Sequence, residues 1–297
     1  MHPEVLRKPP AAMLPAIAVA LCGAVWGAFW FPLRWFDEIG IGGGWVAFIF
    51  NAVAVLAPLP WLMRRSAWVG SNPGQFFTGL LLGTAFSLYT VSLVMTDVIH
   101  AILLFYLTPV WSTLAGLIFL KQRMTLPRSA AMALGFGGII SILGIGDGLP
   151  LPRNIGDWMA LVSGMLWAAG SVLSYIRPSP RIAVPVLAFS IGGLVSSGVL
   201  LAIASAMSLP MAAASNIGQA LPWIIVLALV IFVPPNFLVL WAARKIDPGR
   251  IGILLMTEVL VGAITAALFS GEPFGTGEML GTAMIVSAGL IEVLGRH

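Results

Sequence analysis

Ten apolar stretches, each close to twenty residues long, follow one another with only short polar or Gly/Pro-rich breaks between them. They run approximately over residues 12–36, 44–63, 75–95, 99–120, 128–146, 157–177, 184–207, 221–243, 249–270 and 277–295. A bilayer core is crossed by roughly 20 mostly apolar residues in a helix. Inside lipid, only a helix or a closed barrel satisfies every backbone N–H and C=O. Composition agrees: 59% of residues are apolar and 9% charged, against about a quarter charged in soluble domains. A soluble fold would have too little polar surface to cover itself. The first stretch is too long for a secretory h-region, carries several Trp and ends in Arg34-Trp35-Phe36, so it reads as a retained span rather than a cleaved leader.

The charges give an orientation. Counting loops alternately, thirteen of the fifteen basic residues fall at one end of the bundle, and only Arg34 and Arg153 at the other. That other end collects Asp37, Glu38, Asp97, Asp147, Asp157, Glu272 and Glu278. The positive-inside rule then puts both termini in the cytoplasm. The net charge of +4 is spread over span ends rather than gathered on a face, which excludes a nucleic-acid partner. With one cysteine, Cys22, no internal disulfide is possible.

The chain also repeats. Gly23-Ala-Val-Trp26-Gly27 in span one matches Gly164-Met-Leu-Trp167-Ala168 in span six, and Thr108-Pro109-Val110 in span four matches Thr257-Glu258-Val259 in span nine. Each of the second pair leads into an apolar run and a polar break, Lys121-Gln122-Arg123 and Ser270-Gly271-Glu272. Five spans per half is an odd number, so the halves insert in opposite directions. The expected fold is an all-α polytopic membrane protein of ten transmembrane helices, built as two inverted-topology five-helix repeats. The expected division is a cytoplasmic segment 1–11, a first repeat 12–148 and a second repeat 149–297.

These features resemble the drug/metabolite transporter superfamily in its EamA-type branch: two five-helix halves, a Gly-x-x-Trp in the first span of each, and Gly271-Glu272 opening the last hairpin. The stretch Tyr106-Leu-Thr-Pro109-Val-Trp111, running on to Phe119-Leu-Lys121-Gln122-Arg123, is similar to the aromatic amino-acid exporters. The resemblance implies a bacterial inner-membrane carrier that exports aromatic and other neutral amino acids, or related metabolites, by alternating access. It also marks Trp26, Trp167 and Trp241 as family positions. Glu258 departs from it, standing where an apolar residue or a Pro matching Pro109 is expected.

Candidate site residues follow from what a bilayer does to polar groups. Trp26, Tyr89, Tyr106, Trp167 and Trp241 lie inside spans, where a ring with a polar tip needs a partner. They are read as substrate-binding, against plain core packing. Trp45, Trp61, Trp68, Trp158 and Trp223 lie near span ends and read as interface anchors. Pro109 and the pair Pro234-Pro235 free carbonyls in mid-helix, so these kinks either line a water-filled path or only curve a packed helix. Asn236, next to the second break, offers an amide to a substrate. Glu258 is the one acid well inside a span, and an ionised carboxylate there is costly unless paired, protonated or wetted. It is a candidate for proton coupling or for a substrate ammonium, against a permanently neutral structural acid. His100, beside Asp97 at a span end, is a second coupling candidate, against a solvated helix end. Gly23-x-x-x-Gly27, Gly79-x-x-x-Gly83 and Gly277-x-x-x-Gly281 read as close helix crossings.

Other classes fit less well. A membrane-embedded lipid-modifying enzyme needs clustered acids, a metal site or a nucleophile with its base. The sequence has no His-Glu-x-x-His and no phosphate loop before Lys-Ser/Thr, so no catalytic, metal or cofactor residues are assigned. A retinal protein needs a buried Lys, yet Lys8, Lys121 and Lys245 all sit at span ends. The remaining alternatives are a channel, which an inverted repeat does not exclude, and a carrier for another class, such as drugs or nucleotide precursors. The expected partners are a small-molecule substrate, the lipid bilayer and protons as coupling ion.

Overall fold

Span one is two helices rather than one, Met13–Gly27 and Trp30–Glu38, with a turn at 28–29. The computed structural model describes residues 13–64, 73–119, 125–143, 152–176, 183–242, 254–272 and 274–294. Trp68, Lys121-Gln122-Arg123, the boundary at 148 and most of the basic residues counted for orientation lie outside them.

The other spans follow the apolar stretches closely. Span two is Gly43–Leu56 with the short helix Leu59–Leu62, span three Pro73–Met95, and span four Val98–Phe105 with Thr108–Phe119. Span five is Leu126–Leu143, span six Ile155–Ile176 and span seven Ala183–Ala206. Span eight is Ala214–Leu227, a π-helical turn Ala228–Phe232, and Val233–Ala242. Span nine carries the helix Thr257–Phe269 and span ten is Thr276–Leu294. No strand occurs among the described residues. Span eight begins at Ala214 rather than near 221, because Pro222 lies inside the helix instead of opening it.

The outside of the bundle is apolar. Ile17, Leu21, Val195, Val199, Val226, Val230, Ile264 and Leu268 are all exposed. In water such a surface would drive association; against hydrocarbon it costs nothing. The inside is knit by small residues. A Cβ added at Gly23 or Gly27 would run into Thr257 or the Glu258 backbone, at Gly79 or Gly83 into Ala188 and Phe189, and at Gly277 into the Ser141 carbonyl. The three glycine motifs thus seat span one on span nine, span three on span seven, and span ten on span five. Every one of these crossings joins the two halves.

The breaks in spans four and nine are built alike. Pro109 lacks the N–H that would bond the Phe105 carbonyl four residues back. The Thr108 hydroxyl donates to that carbonyl at 2.7 Å. In span nine the matching Thr257 hydroxyl lies 2.8 Å from Leu254 O and 2.9 Å from Ala20 O, donating to one at a time. The repeat seen in the sequence is therefore a repeat of mechanism: one threonine per half satisfies the backbone where its helix restarts. In span eight, Pro234 and Pro235 follow the π turn, whose widened loop is closed by Val233 N donating to Ala228 O.

Candidate functional site

The two half-helices that restart at Thr108 and Thr257 meet in mid-bundle around a cavity of about 130 Å3. It is lined by Trp26 from span one, Phe86 and Tyr89 from span three, and Phe105, Tyr106 and Thr108 from span four. Trp167 of span six, Leu255, Met256 and Glu258 of span nine, and Gly289 of span ten complete it. The walls are aromatic and mutually packed. Tyr89 stacks on Phe105 with ring centres 4.4 Å apart. Phe105 meets Trp167 edge-on at 5.9 Å, and Trp26 meets Phe86 edge-on at 6.2 Å.

Glu258 is the charged-type residue of this wall and is 4% exposed. It sits in the first turn of Thr257–Phe269, where free backbone N–H groups and the helix dipole favour a carboxylate. Two tyrosines from the other half hold it: Tyr89 Oη donates to Oε1 at 3.1 Å and Tyr106 Oη lies 2.7 Å from Oε2. Tyr106 Oη is also 3.1 Å from the Leu255 carbonyl. A phenol has one proton to give. With Glu258 ionised, both tyrosines donate to it. With Glu258 protonated, the acid donates to Tyr106 and Tyr106 donates to Leu255. Every polar atom of the trio is satisfied in either state, by rotating one hydroxyl.

Four of the six residues read as substrate-binding, Trp26, Tyr89, Tyr106 and Trp167, therefore line one cavity together with Glu258. Two do not. Asn236 is half-buried and its amide donates to Phe232 O at 2.8 Å, a carbonyl of its own span four residues back. Trp241 packs against the cluster of Val19 and Ala242 and is not among the described lining residues. Span eight, which carries both, contributes none of the described lining residues, and span ten contributes Gly289. The backbone break at Pro109 borders the cavity through Thr108, while Pro234 and Pro235 shape span eight at a distance from it.

His100 belongs to a separate structure. Six residues before Tyr106, so about 9 Å along the helix axis, it is 3% exposed in a polar layer that ties the halves together at one end. Arg153 Nη2 is 2.8 Å from His100 Nε2 and 3.3 Å from Asp97 Oδ2. Arg donates only, so Nε2 accepts and the imidazole proton sits on Nδ1, 3.6 Å from Asp97. Arg34 pairs with Glu272 at 2.6 Å and donates to Thr96 O at 2.7 Å and Leu93 O at 3.3 Å. Glu272 also accepts from Val98 N at 2.9 Å. Burial pushes its carboxyl above the ordinary carboxylate range, and the Arg34 guanidinium pulls it back. Asp157, fully buried, accepts from Thr96 Oγ1 at 2.6 Å and Arg153 N at 2.9 Å. A wider hollow of about 440 Å3 opens onto this layer, lined by Arg34, Asp37, Thr96, Asp97 and Asn154 among others. It shares no lining residue with the aromatic cavity. Sequence reading counted these charges only as loop charges. Their pairing had one hint, a lone Arg in the first half and a Glu in the second on the same acidic end.

Ten spans in two inverted halves, with an aromatic cavity and a buried acid between them, are the plan of a polytopic membrane transporter. The chain belongs to the EamA-like transporter family, whose model matches it twice, at residues 13–144 and 154–292. A solved crystal structure superposes with a TM-score of 0.56 at 18% identity, over 97% of this chain and 99% of its own; that likeness is one of fold. Among curated proteins no relative matches the chain.

Proposed function

We propose that this chain is a secondary transporter exporting amino acids, aromatic and other neutral ones, or closely related small metabolites, across a bacterial cytoplasmic membrane. It works by alternating access between repeats 12–148 and 149–297, with protons as coupling ion. The observation that carries this reading is Glu258, the acid well inside a span, held by tyrosines of the opposite half at the wall of an aromatic cavity. Its carboxylate suits a substrate ammonium, and its two satisfied states suit proton exchange. The aromatic walls suit a planar or thioether side chain.

Both termini lie in the cytoplasm in this reading, so the polar layer faces outward and the described conformation is closed on that side. Reporter fusions at Gly42 and Gly148 are expected to read periplasmic, and one at the C-terminus cytoplasmic. A periplasmic C-terminus removes the orientation. For activity, purified protein in liposomes is expected to give saturable uptake of tryptophan, phenylalanine or methionine, driven by a pH gradient. Flat uptake across neutral amino acids, at verified insertion, removes the substrate class.

A further inference from the structure

One described lining residue carries a fully buried polar atom with nothing to bond. Trp26 is 7% exposed and lines the cavity, and its indole Nε1 is buried without a hydrogen-bond partner. A buried N–H left unmade costs about 1–3 kcal/mol, and native structures rarely leave one without a reason. Trp45 and Trp111 carry buried unpartnered Nε1 atoms too, but neither lines the cavity. The neighbouring Trp30, by contrast, spends its Nε1–H on Thr265 Oγ1 at 3.0 Å. Span one thus presents one satisfied indole to span nine and one unsatisfied indole to the cavity.

Apart from the Trp167 indole, the other polar side chains of the described lining are committed. Thr108 donates to Phe105 O, and Tyr89 and Tyr106 serve Glu258. What the described lining offers a ligand is two indole donors, Trp26 and Trp167, of which Trp26 Nε1–H is the fully buried one without a partner, and one acceptor, Glu258. Among its described lining residues there is no Lys, Arg or His, so these residues hold a ligand anion only where the ligand brings its own counter-charge.

We infer that the cavity recognises a primary amine that carries a neighbouring oxygen acceptor, the amine on Glu258 and the oxygen on Trp26 Nε1–H. The inference rests on the carrier reading for its biological meaning, though not for its test. It makes Trp26 the residue that separates amino acids and their amides from simple amines of the same side chain. Phe86, Phe105 and Trp167 then hold the side chain itself.

The experiment is a two-sided deletion, binding of tritiated tryptophan, tryptophanamide and tryptamine to the purified full-length protein, wild type against Trp26→Phe. Phenylalanine keeps an aromatic ring beside Phe86 and removes the N–H together with part of the indole's volume, a packing loss that all three probes share. The variant is expected to bind the two acceptor-bearing probes about tenfold more weakly, the size of one hydrogen bond. Tryptamine, which has no oxygen, is expected to bind both proteins within about twofold, and so reports that the variant is folded. Tryptophan and tryptophanamide are compared to separate a carboxylate oxygen from a neutral one. An equal loss for all three probes makes Trp26 a packing residue and overturns the inference, as does no loss for any of them or no binding to the wild type. If the pattern holds but liposomes take up none of the three, the binding inference stands and the carrier reading falls.

Discussion

Glu258→Gln is expected to lose pH-driven transport by a factor of roughly 10–100, the worth of a hydrogen bond made by a charged group. Glutamine keeps the shape of the acid and still reaches Tyr89 and Tyr106, so folding is expected to survive, with a melting temperature near that of the wild type. What it cannot do is take and release a proton, or face a substrate ammonium with a full charge. Two readouts separate those roles. Counterflow at fixed pH, without a gradient, tests ammonium binding alone. Uptake against a pH ramp tests the proton, and the variant's rate is expected to be flat where the wild-type rate is not. A variant that matches wild type in rate and in pH dependence makes Glu258 a structural acid.

The second large effect is expected at the other end of the bundle. Arg34 and Glu272 join the halves through side chains that are 29% and 9% exposed. Removing one partner from a mostly buried pair costs of order 3 kcal/mol. Arg34→Ala also leaves the Leu93 and Thr96 carbonyls without their donor. The state closed at this end loses that stabilisation, so the population shifts toward the state open there. A cysteine placed at Thr108, in a Cys22→Ser background, reports it. Labelling by an impermeant maleimide from the Arg34 side is expected to rise at least tenfold in Arg34→Ala. Arg34→Lys, which keeps the charge but not the fork, is expected to fall between. Unchanged labelling in Arg34→Ala would mean that the layer is not a gate.

The legible and illegible parts of this molecule differ by the range of the physics involved. The spans are local: twenty apolar residues announce themselves, and even the matched breaks at Thr108 and Thr257 stand in the sequence as a Thr with a Pro or a Glu after it. Mid-span Trp and Tyr were legible for the same reason, since a polar tip in hydrocarbon demands a partner. The sequence says less where one local fact has two outcomes. Asn236 beside two prolines reads as a substrate ligand, yet its amide turns back on its own span, 2.8 Å from Phe232 O. Trp241 carries the same signature as Trp167, yet helix rotation turns it to Val19 and Ala242. The polar layer is the least local of all. Arg34 meets Glu272 from opposite ends of the chain, a distance that no spacing rule spans.

The two restarting helices have a further consequence. Their backbones follow one pattern, a threonine closing the gap, but the residue after it is Pro109 in one and Glu258 in the other. The acid exists only in the second half, and its tyrosine partners only in the first. Swapping the conformations of the halves therefore does not regenerate the same molecule seen upside down. In a carrier of this build the two end states are unequal in energy before any substrate arrives. Under the proposed alternating-access cycle, a duplicated scaffold with this acid in one half and its two tyrosines in the other is expected to have a preferred resting direction.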